Sequence, residues 1–118
     1  MKTLVMGASP NSERYSYKAV ELLEKHQHAV VAIGSRDGNI GDIKIITGQP
    51  LIPEVHTVTM YIGKDKQEPL MDYIISLKPK RIIFNPGSEN DILKTKATKA
   101  GIECIEACTL VLLHTNQF

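Results

Sequence analysis

The chain has no tryptophan, two phenylalanines, four tyrosines and two cysteines. Cys104 and Cys108 are too few for a disulfide framework, and the four histidines do not join them in a zinc-ligand spacing. Charge of one sign is missing too, since 14 basic and 13 acidic residues leave a formal net charge of +1. No basic stripe marks a nucleic-acid face, and nothing points to an anionic membrane. The first apolar stretch is short and polar residues follow it at once, so neither a secretory leader nor a membrane-spanning helix is expected. The cytoplasm is the expected compartment.

The composition present is that of a globular protein, with 42% hydrophobic and 23% charged residues. Its 118 residues suffice for a single domain, 1–118, with a core that needs no metal or disulfide. Apolar runs at Thr3 to Met6, Ala29 to Ile33, Ile43 to Ile46, Thr57 to Ile62, Arg81 to Phe84 and Ile102 to Ile105 read as strands. Between them lie helical patterns. Ser16, Ala19, Val20 and Leu23 repeat at helical spacing behind an N-cap expected at Asn11 or Ser12. Pro69 suits the first turn of a second helix carrying Leu70, Tyr73, Ile74 and Leu77. Ser88 with Asp91 resembles a capping box for a third, which carries Leu93, Ala97 and Ala100 and stops at Gly101. Asp37 to Asp42 reads as a connector, and Thr109 to Leu113 as either strand or short helix.

Strands alternating with helices, several of them continuously apolar, predict an α/β fold with a doubly wound, mostly parallel sheet covered on both faces. Ligands of such sheets bind at the carboxyl ends of the strands, near the point where strand order reverses. The loops of interest are therefore Gly7 to Arg14, Gly34 to Arg36, Tyr61 to Lys64 and Asn85 to Ser88. The first is the most informative, because a buried strand runs through Gly7-Ala8-Ser9 into a helix, where backbone amides and a helix N-terminus suit a phosphate. The plain alternative is a strand-to-helix turn with no ligand.

A nicotinamide dehydrogenase would carry three spaced glycines in that loop and an acid after the second strand. Here there is one glycine, and Ser35-Arg36 stands where the acid would be. An arginine there fits a ligand with an additional phosphate on its ribose, either the 2′-phosphate of NADP or the 3′-phosphate of coenzyme A. Otherwise it is a solvated loop residue.

The run GASPNSERYSYKAV resembles the opening of the small CoA-binding, YccU-like proteins, whose fold is similar to the CoA-binding domain of the succinyl-CoA synthetase alpha subunit. The resemblance extends along nearly the whole chain and includes Ser9-Pro10, Arg14 with Ser16-Tyr17, and Cys108. It implies a Rossmann-like, three-layer α/β/α domain. It also implies that Gly7, Ala8, Ser9 and Arg14 hold a pyrophosphate, with Ser16 as a hydroxyl donor. Gly34, Ser35 and Arg36 would meet the adenosine end, and Tyr61 and Ile62 the nucleotide or the pantetheine arm. The chain departs from the family at three places. Gly34-Ser35 replaces an Asn-Pro pair, Tyr61-Ile62-Gly63 replaces a Val-Phe-Arg-like strand ending, and Phe84-Asn85-Pro86-Gly87 replaces a Trp-x-Gln-x-Gly run.

Little else carries chemistry. His26 and His28 follow the first helix, where a cation complements the dipole. His56 and His114 stand alone, and Lys94, Lys96 and Lys99 form a solvated helix face. Cys104 is expected to face the core and Cys108 to lie in a turn. No nucleophile–base pair, paired carboxylates or metal-ligand set stands out. The reading is a non-catalytic protein that binds coenzyme A or an acyl-CoA. The alternatives are an NADP-dependent reductase-like protein and an interaction module that has lost its ligand.

Overall fold

The computed structural model describes residues 2–118. Its strands are β1 (Lys2–Met6), β2 (Ala29–Ile33), β3 (Gly38–Ile40), β4 (Ile43–Ile46), β5 (Val55–Met60), β6 (Arg81–Phe84) and β7 (Glu103–Glu106). The α-helices are α1 (Tyr15–Lys25), α2 (Met71–Ser76), α3 (Asp91–Lys99) and α4 (Thr109–His114). The strands form one seven-stranded sheet in the order β3-β4-β2-β1-β5-β6-β7. Every pairing is parallel except the β3–β4 hairpin. Strand order reverses at β1, which lies between β2 and β5.

The sheet is covered on both faces, which explains its unbroken apolar runs. Leu4 and Met6 of β1 join Val58, Met60, Ile82 and Phe84 in a core closed by Met71 and Ile74 of α2 and Leu93 and Ala97 of α3. On the other face, Val5 joins Ala32, Ile40 and Ile45 beneath Val20 and Leu23 of α1 and Leu113 of α4. Thus α1 and α4 share one face, α2 and α3 the other, giving a Rossmann-like three-layer domain. Among the described residues no helix is long and apolar enough to cross a membrane.

Several local expectations are corrected. The N-cap of α1 is Arg14, with no side-chain hydrogen bond, rather than Asn11 or Ser12. The Asn11 side chain is already used, because its Oδ1 accepts from Glu13 N at 3.0 Å in the preceding loop. Asn90, not Ser88, caps α3, and its Oδ1 accepts from Ile92 N and Leu93 N. The Ser88 hydroxyl instead donates to the Asn85 carbonyl at 2.7 Å. The Gly- and Asp-rich stretch holds strand β3, whose Ile40 is buried against α1 and β4. The third principal strand spans Val55–Met60 rather than reaching Ile62, the last strand spans Glu103–Glu106, and 109–114 is helix. Cys104 is half-buried at the edge of the core, and burial pushes its thiol pKa up.

At the amino-terminal edge of the sheet, Arg81 stacks on Phe118 at 4.6 Å from the ring centroid and donates to Thr57 Oγ1 at 2.8 Å. His28 meets the same Phe118 ring edge-on at 5.1 Å, and His56 Nδ1 lies 2.8 Å from Thr57 Oγ1. Burial lowers the pKa of both histidines, with His26 and Arg81 adding to it at His28 and Arg81 and Lys80 at His56. A base with a depressed folded pKa resists protonation only in the native state. Its contribution is therefore complete above the unfolded value near 6.5 and is lost as pH falls below it. Thermal denaturation followed by circular dichroism should show a midpoint that drops between pH 7 and pH 5, and a smaller drop in a His28→Gln, His56→Gln double variant. An identical drop in that variant would assign the acid sensitivity to other groups.

Candidate functional site

Two adjoining loops build the site at the carboxyl end of β1. The amides of Gly7 and Ala8 both donate to the Ile33 carbonyl at 2.9 Å, which pins the β1–α1 loop to the end of β2. Gly34 N continues the ladder to Ile46 O at 3.0 Å, and Tyr61 N to Met6 O at 2.8 Å. Glycine is required at two of these places. Gly7 has φ +99°, and a Cβ there would come within 2.8 Å of Ile62 Cγ1. A Cβ at Gly34 would overlap the Ala8 carbonyl oxygen.

Above this joint lies an open cleft of about 740 Å³. It runs from Gly48 and Gln49, after β4, to Gly87 and Ser88, after β6. Crossing the ends of five strands at their usual spacing makes it about 19 Å long. Met6, Ile33, Ile62 and Leu70 give it apolar lining, while Arg14, Arg36 and Lys66 supply three cations and, among the described residues, no carboxylate lines it. The amides of Tyr15, Ser16 and Tyr17, at the start of α1, have no acceptor among the described residues. An uncapped helix start with no acid in its first turn leaves a partial positive charge for an anion.

Gly7, Ala8, Ser9, Arg14, Ser16, Gly34, Ser35, Arg36, Tyr61 and Ile62 all line this one cleft. Their parts differ from the expectation in one respect. Because the Gly7 and Ala8 amides are bonded to Ile33, the donors left free in this region include the Ser9 amide and, further on, those at the start of α1. Arg14 and Arg36 are exposed, and Ser16 is buried with 4% exposure. The Tyr61 hydroxyl is buried without a hydrogen-bond partner. Burial, with Cys108 beside it, pushes its pKa up to about 12 against the smaller opposite pull of Thr109 and Thr59. It therefore stays protonated at neutral pH. Among the described residues no cluster of His, Cys, Asp and Glu could hold a metal ion.

The profile of the family described as CoA binding domain matches residues 1–114. The chain belongs to that family. A crystal structure of an uncharacterized protein is 44% identical, with a TM-score of 0.96, covering 99% of this chain and 97% of the other. A hypothetical protein from Pyrococcus horikoshii OT3 shares the fold at 20% identity, with a TM-score of 0.85 over 98% of this chain and 82% of its own. The protein cell-free ID.343 from Thermus thermophilus does so at 14% identity, with the same TM-score of 0.85 over 99% and 90% of the two chains. No curated protein matches.

Lys66, Gln49, Tyr15 and Leu70 also line the cleft but were not legible as site residues. Lys66 lies just past the loop expected after β5, because two 3-10 turns, Lys64–Lys66 and Glu68–Leu70, carry that connection back over the site. The signal available was the polar run Lys64 to Gln67 between a strand and Pro69.

A second cavity of about 690 Å³ lies at the opposite edge of the sheet, between Lys2, His56, Lys78 and Lys80. Glu54 also lines it, Lys2 Nζ there donates to the Pro53 carbonyl at 2.7 Å, and Lys78 follows the carboxyl end of α2. The strand-order reversal and the open helix start are found at the first cleft.

Gly34 should be irreplaceable for steric reasons. Gly34→Ala must move the Ala8 backbone, and calorimetric unfolding should show a loss of about 3 kcal/mol, the upper part of the range for overpacking. An unchanged midpoint would mean that the β1–α1 loop yields freely.

Proposed function

We propose that the cleft binds coenzyme A or an acyl-CoA, and that the chain holds this ligand without a catalytic group of its own. The observation that carries the reading is the cleft itself, in which three cations, no carboxylate and an uncapped helix start meet at the strand-order reversal. Membership of the CoA binding domain family supports the same class of ligand. The pyrophosphate would lie against the start of α1, with Arg14 pairing two oxygens at once and Ser16 adding a hydroxyl. The 3′-phosphate would meet Arg36. The pantetheine arm would run toward Ile62, Lys66 and Ser88. An elongated cleft suits a nucleotide with a long arm better than a mononucleotide. A ligand with a free ribose diol is poorly served, since no acid is there to accept its hydrogen bonds.

Coenzyme A at about a hundred times its Kd should stabilise the fold by about 2.7 kcal/mol, read as a rise in the thermal midpoint. AMP at the same concentration should give a smaller rise. Arg14→Ala should weaken CoA binding by about 1.5–3 kcal/mol in titration calorimetry, the range for hydrogen bonds to charged groups. A midpoint that CoA moves no further than AMP does would sink the assignment.

Arg36 separates the ligand classes. Dephospho-CoA should bind more weakly than CoA, and Arg36→Ala should remove most of that difference. The difference should shrink with added salt, because Arg36 is exposed. NADP titrated in parallel decides the alternative: tighter binding of NADP than of CoA would favour the reductase-like reading.

A further inference from the structure

Gln67 is fully buried, with 0% exposure, yet it belongs to the polar connection between β5 and α2. Its amide nitrogen donates to the Ile62 carbonyl at 2.8 Å and to the Ser88 carbonyl at 2.7 Å. Its Oε1 accepts from Asn90 Nδ2 at 3.1 Å. Ile62 and Ser88 both line the cleft, one in the loop after β5 and the other in the loop after β6. A single side chain thus spans two walls that the sheet ladder no longer joins.

The direction of these bonds is fixed at every member. Asn90 uses its amide nitrogen on Gln67 and its Oδ1 on the first turn of α3, at 3.0 Å to Ile92 N and 3.3 Å to Leu93 N. Asn85 braces the layer below, donating to Met60 O at 2.8 Å and Thr59 Oγ1 at 2.7 Å and accepting from Thr109 N at 2.8 Å. The Gln67 brace lies above it, at the height of the cleft. Removing its two donors would leave the buried Ser88 carbonyl and the half-buried Ile62 carbonyl without partners, which the loops would relieve by moving apart into water.

We infer that Gln67 is the positioning residue of the cleft, the group that sets the distance between the Ile62 and Ser88 walls and so the fit of the ligand. This rests on the nucleotide-binding reading for its consequence on affinity, but not for its consequence on the loops. Neither the core nor the strand pairing depends on Gln67, so the fold should survive its loss.

The test compares Gln67→Met with Gln67→Glu, and with Ile74→Val as a destabilised core control that does not itself line the cleft. In ligand-free protein, amide exchange followed by mass spectrometry should rise at least tenfold in both the 62–70 and 87–93 segments of Gln67→Met. It should stay near the wild-type rate in those segments of Ile74→Val. CoA affinity should fall at least tenfold in Gln67→Met and less than twofold in Ile74→Val. Gln67→Glu places a carboxylate against two carbonyl oxygens. Its affinity relative to wild type should therefore recover as pH falls and the acid regains a proton to donate. Unchanged exchange in either segment, or an affinity loss no larger than that of Ile74→Val, would overturn the inference. If the wild-type protein does not bind CoA, the nucleotide reading fails, and the exchange data alone still decide the role of Gln67.

Discussion

The Ile33 carbonyl, which accepts from the amides of Gly7 and Ala8 at 2.9 Å each, is the joint on which the site depends. It holds the β1–α1 loop down on the end of β2, so close that Gly34 has no room for a side chain beside the Ala8 carbonyl. The loop can then leave the sheet in one direction, over Gly34, before turning into α1. The joint also consumes the two amides that a phosphate would otherwise meet first. The amides it leaves free include that of Ser9 and, further out, those at the open start of α1 between Arg14 and Ser16.

The opposite wall is built by other means. Backbone ladders hold the β1 and β2 side, whereas buried amide side chains hold the β5 and β6 side. Asn85, Gln67 and Asn90 are each at most 3% exposed, and each satisfies carbonyls or amides that strand and helix ends leave unpaired. A backbone joint fixes the shape of a loop, while a side-chain brace fixes the gap between two loops. The cleft combines both, with cations at its mouth and apolar residues along its floor.

Much of the layered fold was legible because its strands are covered on both faces. Ala29–Ile33, Ile43–Ile46 and Arg81–Phe84 appear in the structure with the bounds their apolar runs predict. Ser16, Ala19, Val20 and Leu23 are the residues α1 buries, as their spacing requires. Helix ends were harder. Gly101, at φ 83°, signals the end of α3, but α1, α2 and α4 are followed by Gln27, Lys78 and Asn116 in the same left-handed region. Asparagine tolerates that geometry, whereas glutamine and lysine give no warning of it. Helix starts misled in the opposite sense, since Asn11, Ser12 and Ser88 have the chemistry of caps while local turns or neighbouring loops take up the Asn11 and Ser88 side chains.

By itself the sequence determined the alternation of elements, the covered parallel sheet and the loops that reach its carboxyl edge, because hydrophobic period and turn chemistry are local properties. It also set the character of the cleft, by placing Arg36 where a diol-binding site needs an acid. Tertiary structure alone decided which amides stay free, that Lys66 returns to the cleft, and that Gln67 reaches Ser88, 21 residues further along the chain, and so joins two loops. These depend on where polar groups find partners once the chain is closed, and a hydrogen bond between distant loops leaves no periodic trace in either.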